Sequence, residues 1–280
     1  MTNDELEAEV TAELRDTLGA DIIKLSEAAG LEAQDTRITY STGYSELDAC
    51  FKGGFKEGDV TVISAIPGEG KSTLARMFTL AFAEKGISSL WFSYEMSMTE
   101  LWDSFVDMGA NTDLISYVPD FLEGDLDWVF KHIDKAIAEK GIKAVFIDTL
   151  GDVEKSRERG VVENYSTVLK QICKHIRDYA VKNRIMVFEI AHCTKQTRSN
   201  TNETTNADIA DSNGIAAMAT NILHVWRDNN SDTGSFIKIG KSRRDGTKKN
   251  WKFRMQLVNN KLLMEGRHED VQGESAWRAA

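Results

Sequence analysis

No apolar run in this sequence approaches the roughly 20 residues needed to span a bilayer. Its first residues also lack the basic-then-apolar order of a secretion signal. Both absences predict a soluble protein of the cytoplasm with no membrane partner. Cysteine is scarce, since Cys50, Cys173 and Cys193 are the only three and lie far apart. Their spacing suits neither a zinc site nor a disulfide framework, so buried reduced thiols are expected. Internal repeats are missing too. What the chain does have is enough material for one large α/β core, with 280 residues of which 41% are hydrophobic. The net charge of −10 is unevenly placed, because residues 1–36 hold ten acids against only Arg15 and Lys24. Near the other end Lys241, Arg243, Arg244, Lys248, Lys249, Lys252 and Arg254 crowd together with Asp245 the only acid among them. Such a local basic surface can meet phosphates on an acidic protein.

Residues 4 to about 29 place Leu6, Val10, Leu14, Leu18, Ile22 and Leu25 three and four apart with acids elsewhere. That is the pattern of an amphipathic helix, which Gly19 and Gly30 weaken or divide. Its apolar stripe requires a cover, either this chain's own domain or a neighbouring copy. From Thr42 onward two kinds of run alternate. Strands are predicted at Val60 to Ala65, Ser89 to Tyr94, Ala144 to Asp148, Ile185 to Ala191, Ile222 to Trp226, Phe236 to Gly240, Lys252 to Leu257 and Leu262 to Glu265. Helices are predicted at Thr73 to Glu84, Met98 to Met108, Leu126 to Glu139 and Asn164 to Lys182. This order predicts an α/β fold: a mostly parallel central sheet flanked by helices, extended by C-terminal antiparallel strands. The expected division is an acidic helical arm (1–36), the sheet domain (37–266) and a polar tail (267–280). The polar stretch from Lys195 to Asp211 has no apolar periodicity and reads as a loop.

The most telling stretch is Ser64-Ala65-Ile66-Pro67-Gly68-Glu69-Gly70-Lys71-Ser72-Thr73, between an apolar strand and a helix. A glycine-rich turn opening a helix aims backbone N–H groups and the positive helix end at one spot, a cradle for a polyphosphate. Pro67, Gly68, Glu69, Gly70, Lys71, Ser72 and Thr73 would line it, Lys71 adding a mobile charge and Ser72 a hydroxyl for Mg²⁺. Ala65 stands where such loops usually begin with glycine, a difference of one methyl group. On a parallel sheet, ligands bind beyond the carboxyl ends of the strands. Asp148 ends an apolar strand there and is the candidate Mg²⁺ carboxylate beside the phosphates of ATP or another nucleoside triphosphate. Glu95 follows a second strand and is the candidate base or orienter for an attacking water. His192 ends a third and can donate to a γ-phosphate and report its loss to the loop that follows. Lys241 and Arg243 end a late strand and project the same way. Aimed at their own nucleotide they would overcharge it, so they read as reaching into a neighbour's site, Arg243 as an arginine finger. Each residue also has a plain alternative: a strand-end carboxylate, a satisfied histidine, a surface cation.

Taken in order, these parts resemble the RecA-like motor domain of hexameric replicative DNA helicases, the DnaB-type family that includes the motor half of phage primase-helicases. The resemblance covers about Thr42 to Gly266. It rests on Thr42-Gly43-Tyr44-Ser45-Glu46-Leu47-Asp48, the phosphate loop, Phe92-Ser93-Tyr94-Glu95-Met96-Ser97, the strands ending at Asp148 and His192, Asp211-Ser212-Asn213-Gly214-Ile215, and Gly240-Lys241-Ser242-Arg243. It implies that Glu95 is the catalytic glutamate, Asp148 the Mg²⁺ aspartate, His192 the γ-phosphate sensor, and Lys241 with Arg243 the trans-acting pair. It further implies that Arg227 packs on the nucleotide base and that Lys195 to Asp211 is the central-channel loop, with Lys195 and Arg198 at DNA phosphates. The implied assembly is a homo-oligomer, a hexameric ring on single-stranded DNA. The chain departs from the family in having neither a primase nor a full-size N-terminal collar, and residues 212–216 match loosely. The arm would then serve as the linker helix gripping the next subunit, with a separate primase, polymerase or loader as partner. The single-motor design and His192 resemble phage-type members.

Three functions compete on this fold. The resemblance implies an ATP-driven helicase or translocase on single-stranded DNA. A RecA- or RadA-like recombinase would coat DNA as a filament, and ring against filament is decided by interface rotation. A KaiC-like regulatory ATPase fits the low basic content of the loop, where Lys195 and Arg198 face Glu203, Asp208 and Asp211. The basic stretch after Lys241 has no use in such a regulator.

Overall fold

The periodicities predicted from Val60 onward become the elements they imply. The computed structural model describes residues 24, 35–153, 165–193, 202–209 and 212–267. Two units are distinguished, Met1–Arg37 and Ile38–Ala280. In the first, Arg37 pairs with Asp35 at 2.7 Å. The amphipathic arm, Lys195, Arg198 and the tail beyond Arg267 lie outside the described residues.

The second unit opens with β1 (Thr39–Tyr40), α1 (Ser45–Cys50) and β2 (Phe55–Lys56), in which β1 and β2 form a small antiparallel ribbon. Then follow β3 (Val60–Ala65), α2 (Lys71–Ala83), β4 (Ser89–Ser93), α3 (Met98–Val106), β5 (Ser116–Tyr117), α4 (Leu126–Lys140), β6 (Ala144–Asp148), α5 (Tyr165–Asn183) and β7 (Met186–His192). The chain continues through α6 (Ser212–Met218), β8 (Asn221–Arg227), β9 (Gly234–Ser242), β10 (Lys252–Val258) and β11 (Lys261–Arg267). One sheet has the order β11-β10-β9-β8-β3-β7-β6-β4-β5. From β8 to β5 it is parallel, and β9, β10 and β11 extend it antiparallel.

Burial on both faces explains why the central strands read as nearly continuous apolar runs. On one face Trp91, Phe146 and Phe188 share a register across β4, β6 and β7, their rings stacked at 4.7 and 4.6 Å. Phe78 and Phe82 of α2 and Phe55 of β2 complete this aromatic core. Burying each such ring stabilises the fold by about 1.5–3 kcal/mol. On the other face Val62 and Ile147 pack with Val129 and Ile133 of α4 and Ile172 of α5. Helix ends follow local signals. Ser97 and Glu100 form a reciprocal capping box at the start of α3, and Gly141 ends α4 with φ 63.

The eight predicted strands and four predicted helices are all present, with ends shifted by no more than two residues. The helix after the phosphate loop starts at Lys71 rather than Thr73, because Gly70, at φ 98, already makes the turn that caps it. The three cysteines are free and buried. Among the described residues no helix is long and apolar enough to cross a membrane.

Register decides where chemistry gathers. Ala65 pairs with His192, Asp148 with Ile190, and Ser93 with Asp148, so β3, β7, β6 and β4 finish on one edge. Ser242, which ends β9, pairs with Asn221, which itself pairs with Thr61 near the start of β3. Lys241 and Arg243 therefore sit at the opposite edge.

Candidate active site

Lys71, Ser72, Glu95, Asp148 and His192 come together at that first edge. Ser72, in the first turn of α2, donates its hydroxyl to Asp148 Oδ2 at 2.8 Å. The Asp148 carbonyl receives the Tyr94 and Glu95 amides at 2.6 and 3.4 Å, which stitches the chain leaving β4 to the end of β6. Glu95 is thereby delivered beside the phosphate loop. Its carboxylate lies 3.9 Å from Lys71 Nζ and 2.6 Å from His192 Nε2.

The two carboxylates live differently. Asp148 is 1% exposed, and burial raises its pKa, with the Ser72 hydrogen bond opposing, the Glu95 charge adding to the rise, and Lys71 and Arg76 opposing. Its Oδ1 is buried without a hydrogen-bond partner. The Glu95 side chain is 37% exposed and open to water. A buried oxygen lacking a partner beside a hydroxyl and an ammonium group is a place that an oxygen-seeking cation and a polyphosphate would complete.

Arg76 is a site neighbour that the sequence reading does not include. It lies four residues after Ser72, hence on the same helix face, and reaches Thr73 Oγ1 at 3.3 Å and Met96 Sδ at 3.8 Å. Burial lowers its pKa while the Asp148 charge supports it. That four-residue spacing is the available signal.

Glu69 is turned away from the cradle. Its carboxylate accepts from the Arg227 amide at 2.6 Å and from Asn202 Nδ2 at 2.7 Å. It thus ties the phosphate loop to the end of β8 and to residues 202–209. Arg227 itself stands exposed at that strand end. Glu203 bridges Lys238 at 2.9 Å and Lys252 at 2.7 Å. His224, buried in β8, contacts Ser64 Oγ at 2.7 Å and Asn206 Oδ1 at 2.8 Å. Burial pushes its pKa down to about 3, so it is a neutral relay in this network. Gly240 is required here, because a Cβ would stand 2.5 Å from both Asn206 Oδ1 and His224 Nε2. Gly240→Ala is expected to cost roughly 1–3 kcal/mol by overpacking, read as a lower Tm in thermal denaturation.

Lys241 and Arg243 do not join this cluster. Lys241 Nζ donates to the Ala216 carbonyl at 2.6 Å, and Arg243 Nε to the Ala219 carbonyl at 3.1 Å, where α6 ends.

This edge of a parallel sheet, with its phosphate loop, hydroxyl and paired carboxylates, has known counterparts. The family model described as "ATPase: KaiC" matches residues 40–253. The chain belongs to the KaiC ATPase family. Members share the RecA-like ATPase fold, and this KaiC-family chain is an ATP-hydrolysing enzyme. Among solved structures it is similar to a chain described as an ATPase domain, with a TM-score of 0.72 and 17% identity, over 87% of this chain and 99% of that one. It is similar also to a chain of "The Structure Of A DnaB-Like Replicative Helicase And Its Interactions With Primase", with a TM-score of 0.72 and 17% identity, over 91% of this chain and 71% of that one. At such identity the likeness is one of fold. In sequence it is 26% identical over 172 residues to the DNA repair protein RadA of Mycolicibacterium smegmatis, covering 61% of this chain and 36% of that protein. To RadA of Campylobacter jejuni it is 27% identical over 194 residues, covering 69% and 42%. The match spans less than half the length of these curated relatives.

Proposed function

We propose that this KaiC-family ATPase is a helicase or translocase on single-stranded DNA that hydrolyses ATP between adjacent copies in a ring. One observation carries the reading: Lys241 and Arg243 lie across the sheet from their own phosphate loop. The strand separating them is about 15 Å long at the usual rise per residue. Their charge can serve a triphosphate only if it belongs to another copy.

Within one copy, Lys71 and the backbone N–H groups of Gly68 to Ser72 bind the phosphates. Ser72 and Asp148 fit Mg²⁺, since Asp148 Oδ1 is buried and lacks a partner. When bound, the ion neutralises charge between the β- and γ-phosphates. Glu95 takes the proton of the attacking water, and His192, hydrogen-bonded to it, responds to loss of the γ-phosphate. That response passes along the chain after β7 toward Lys195 and Arg198, the residues proposed to meet DNA phosphates. Arg227 is the residue proposed to pack on the base, a role supported by the bond of its amide to Glu69 of the phosphate loop.

The test is ATP turnover with and without an unpaired oligonucleotide, together with strand displacement from a fork. Stimulation and displacement are expected. Arg243→Ala is expected to bind ATP normally and lose about a thousandfold in turnover, as removal of an arginine finger does. Stimulation with pairing of homologous strands and no displacement would instead favour a recombinase. A lack of any DNA response would favour a regulatory ATPase acting on proteins.

A further inference from the structure

Three cations from two elements meet at the edge opposite the phosphate loop. Lys241 and Arg243 leave β9 and reach the last carbonyls of α6. α6 is pressed against α5 at Gly214, where a Cβ would stand 2.8 Å from Lys170 Cα. Arg177 follows Lys170 by seven residues, about two turns along the same face of α5. The packing of α6 on α5 puts Arg177 on the side of these cations, and its charge lowers the pKa of both Lys241 and Arg243. Among the described residues none of the three has a carboxylate partner. Burial first, then Arg243 and Arg177, push the Lys241 amine down to about 8. The fold thus holds three positive charges together against their repulsion, and a multivalent anion would relieve it.

We propose that Arg177 is a third cation acting in trans, forming with Lys241 and Arg243 a binding site for the terminal phosphate of a nucleoside triphosphate held by an adjoining copy of this chain. The proposal rests on the reading of Lys241 and Arg243 given above. α5 ends at Asn183, just before β7 starts, so Arg177 lies toward the same edge as the end of β9. Two guanidinium forks and one ammonium group match the several oxygens of a terminal phosphate, whereas a single carboxylate would leave charge uncompensated.

The experiment compares Arg177→Ala, Arg177→Lys and Arg243→Ala, alone and mixed one to one with Glu95→Gln protein, which lacks its own base but keeps its trans cations. Arg177→Ala is expected to lose about a hundredfold in kcat, the effect of removing one charge-stabilising donor, with little change in KM. Arg177→Lys should retain more turnover than the alanine variant. Mixing Arg177→Ala with Glu95→Gln should recover activity, because hybrid interfaces pair an intact base with intact cations. Mixing it with Arg243→Ala should recover none, because both defects lie on the same side. A defect confined to folding would show as a lowered Tm with no recovery in any mixture, and would overturn the proposal. Normal turnover by Arg177→Ala beside an inactive Arg243→Ala would overturn it while leaving the trans pair standing. Failure of Arg243→Ala to recover with Glu95→Gln would remove the trans reading itself, and this proposal with it.

Discussion

Glu95→Gln protein is expected to bind ATP as tightly as the unaltered chain yet turn it over about 10²–10⁴-fold more slowly, the range for loss of a positioned base. The expectation follows from where the two site carboxylates stand. Asp148 is buried and already accepts the Ser72 hydroxyl, so it is committed to the phosphate side of the cradle. Glu95 is open to water and held by His192 and Lys71, the position proposed above for the base that meets the attacking water. Glutamine keeps the shape and the contact with His192 but cannot accept a proton from water. Affinity is read by fluorescent-nucleotide titration and chemistry by single-turnover phosphate release. Unchanged single-turnover rates would remove Glu95 as the base and leave Asp148 as the carboxylate to examine.

Much of this site was legible because its residues sit where two sequence periods change. Val60 to Ala65 is an apolar run, the glycines that follow open a helix, and Asp148 and His192 each end a run of the same kind. Strand ends are marked by local composition, and a parallel sheet gathers such ends on one edge. Other features depended on contacts distant in sequence. The ribbon of β1 and β2 and the short β5 have two residues per strand, too few for a period to show. α6, with seven residues, was hidden at the end of a polar loop. Glu69 looked like part of the cradle by position, yet its carboxylate faces the Arg227 amide and Asn202, more than 130 residues away in each case. The basic end of β9 was visible, but its docking on the carbonyls of α6 was not. Arg177 gave no signal at all, since its neighbours are set by the packing of Gly214 on α5.

Glu189 is the sharpest conflict between sequence pattern and environment, and its replacement by leucine is expected to stabilise the protein more as pH rises. It lies mid-strand in β7, paired in register with Val62 of β3 and Ile147 of β6, both apolar. From α5 the Cys173 thiol faces it, pushed up in pKa mainly by burial and further by the Glu189 charge. Glu189 is 1% exposed, and its Oε1 has no hydrogen-bond partner. Burial raises its pKa to about 8. In the unfolded chain it titrates near the usual value of about 4.3. Between those limits the folded state keeps a proton that the unfolded state has released, so stability falls by at most about 1.4 kcal/mol per pH unit. Below the lower limit both states are protonated and the ionic penalty vanishes. Above the upper limit both are ionised and the penalty is complete. Thermal melts at pH 6 and pH 8 should therefore show the Tm advantage of Glu189→Leu widening by several degrees, since 1 kcal/mol moves Tm by roughly 2–4 °C in a domain of this size. Other titrating groups are common to both proteins and cancel in the difference. Glu189→Gln should flatten the same pH dependence from a lower baseline, because a buried amide also lacks partners. A leucine advantage that is identical at both pH values would mean that Glu189 does not carry a proton in the folded core.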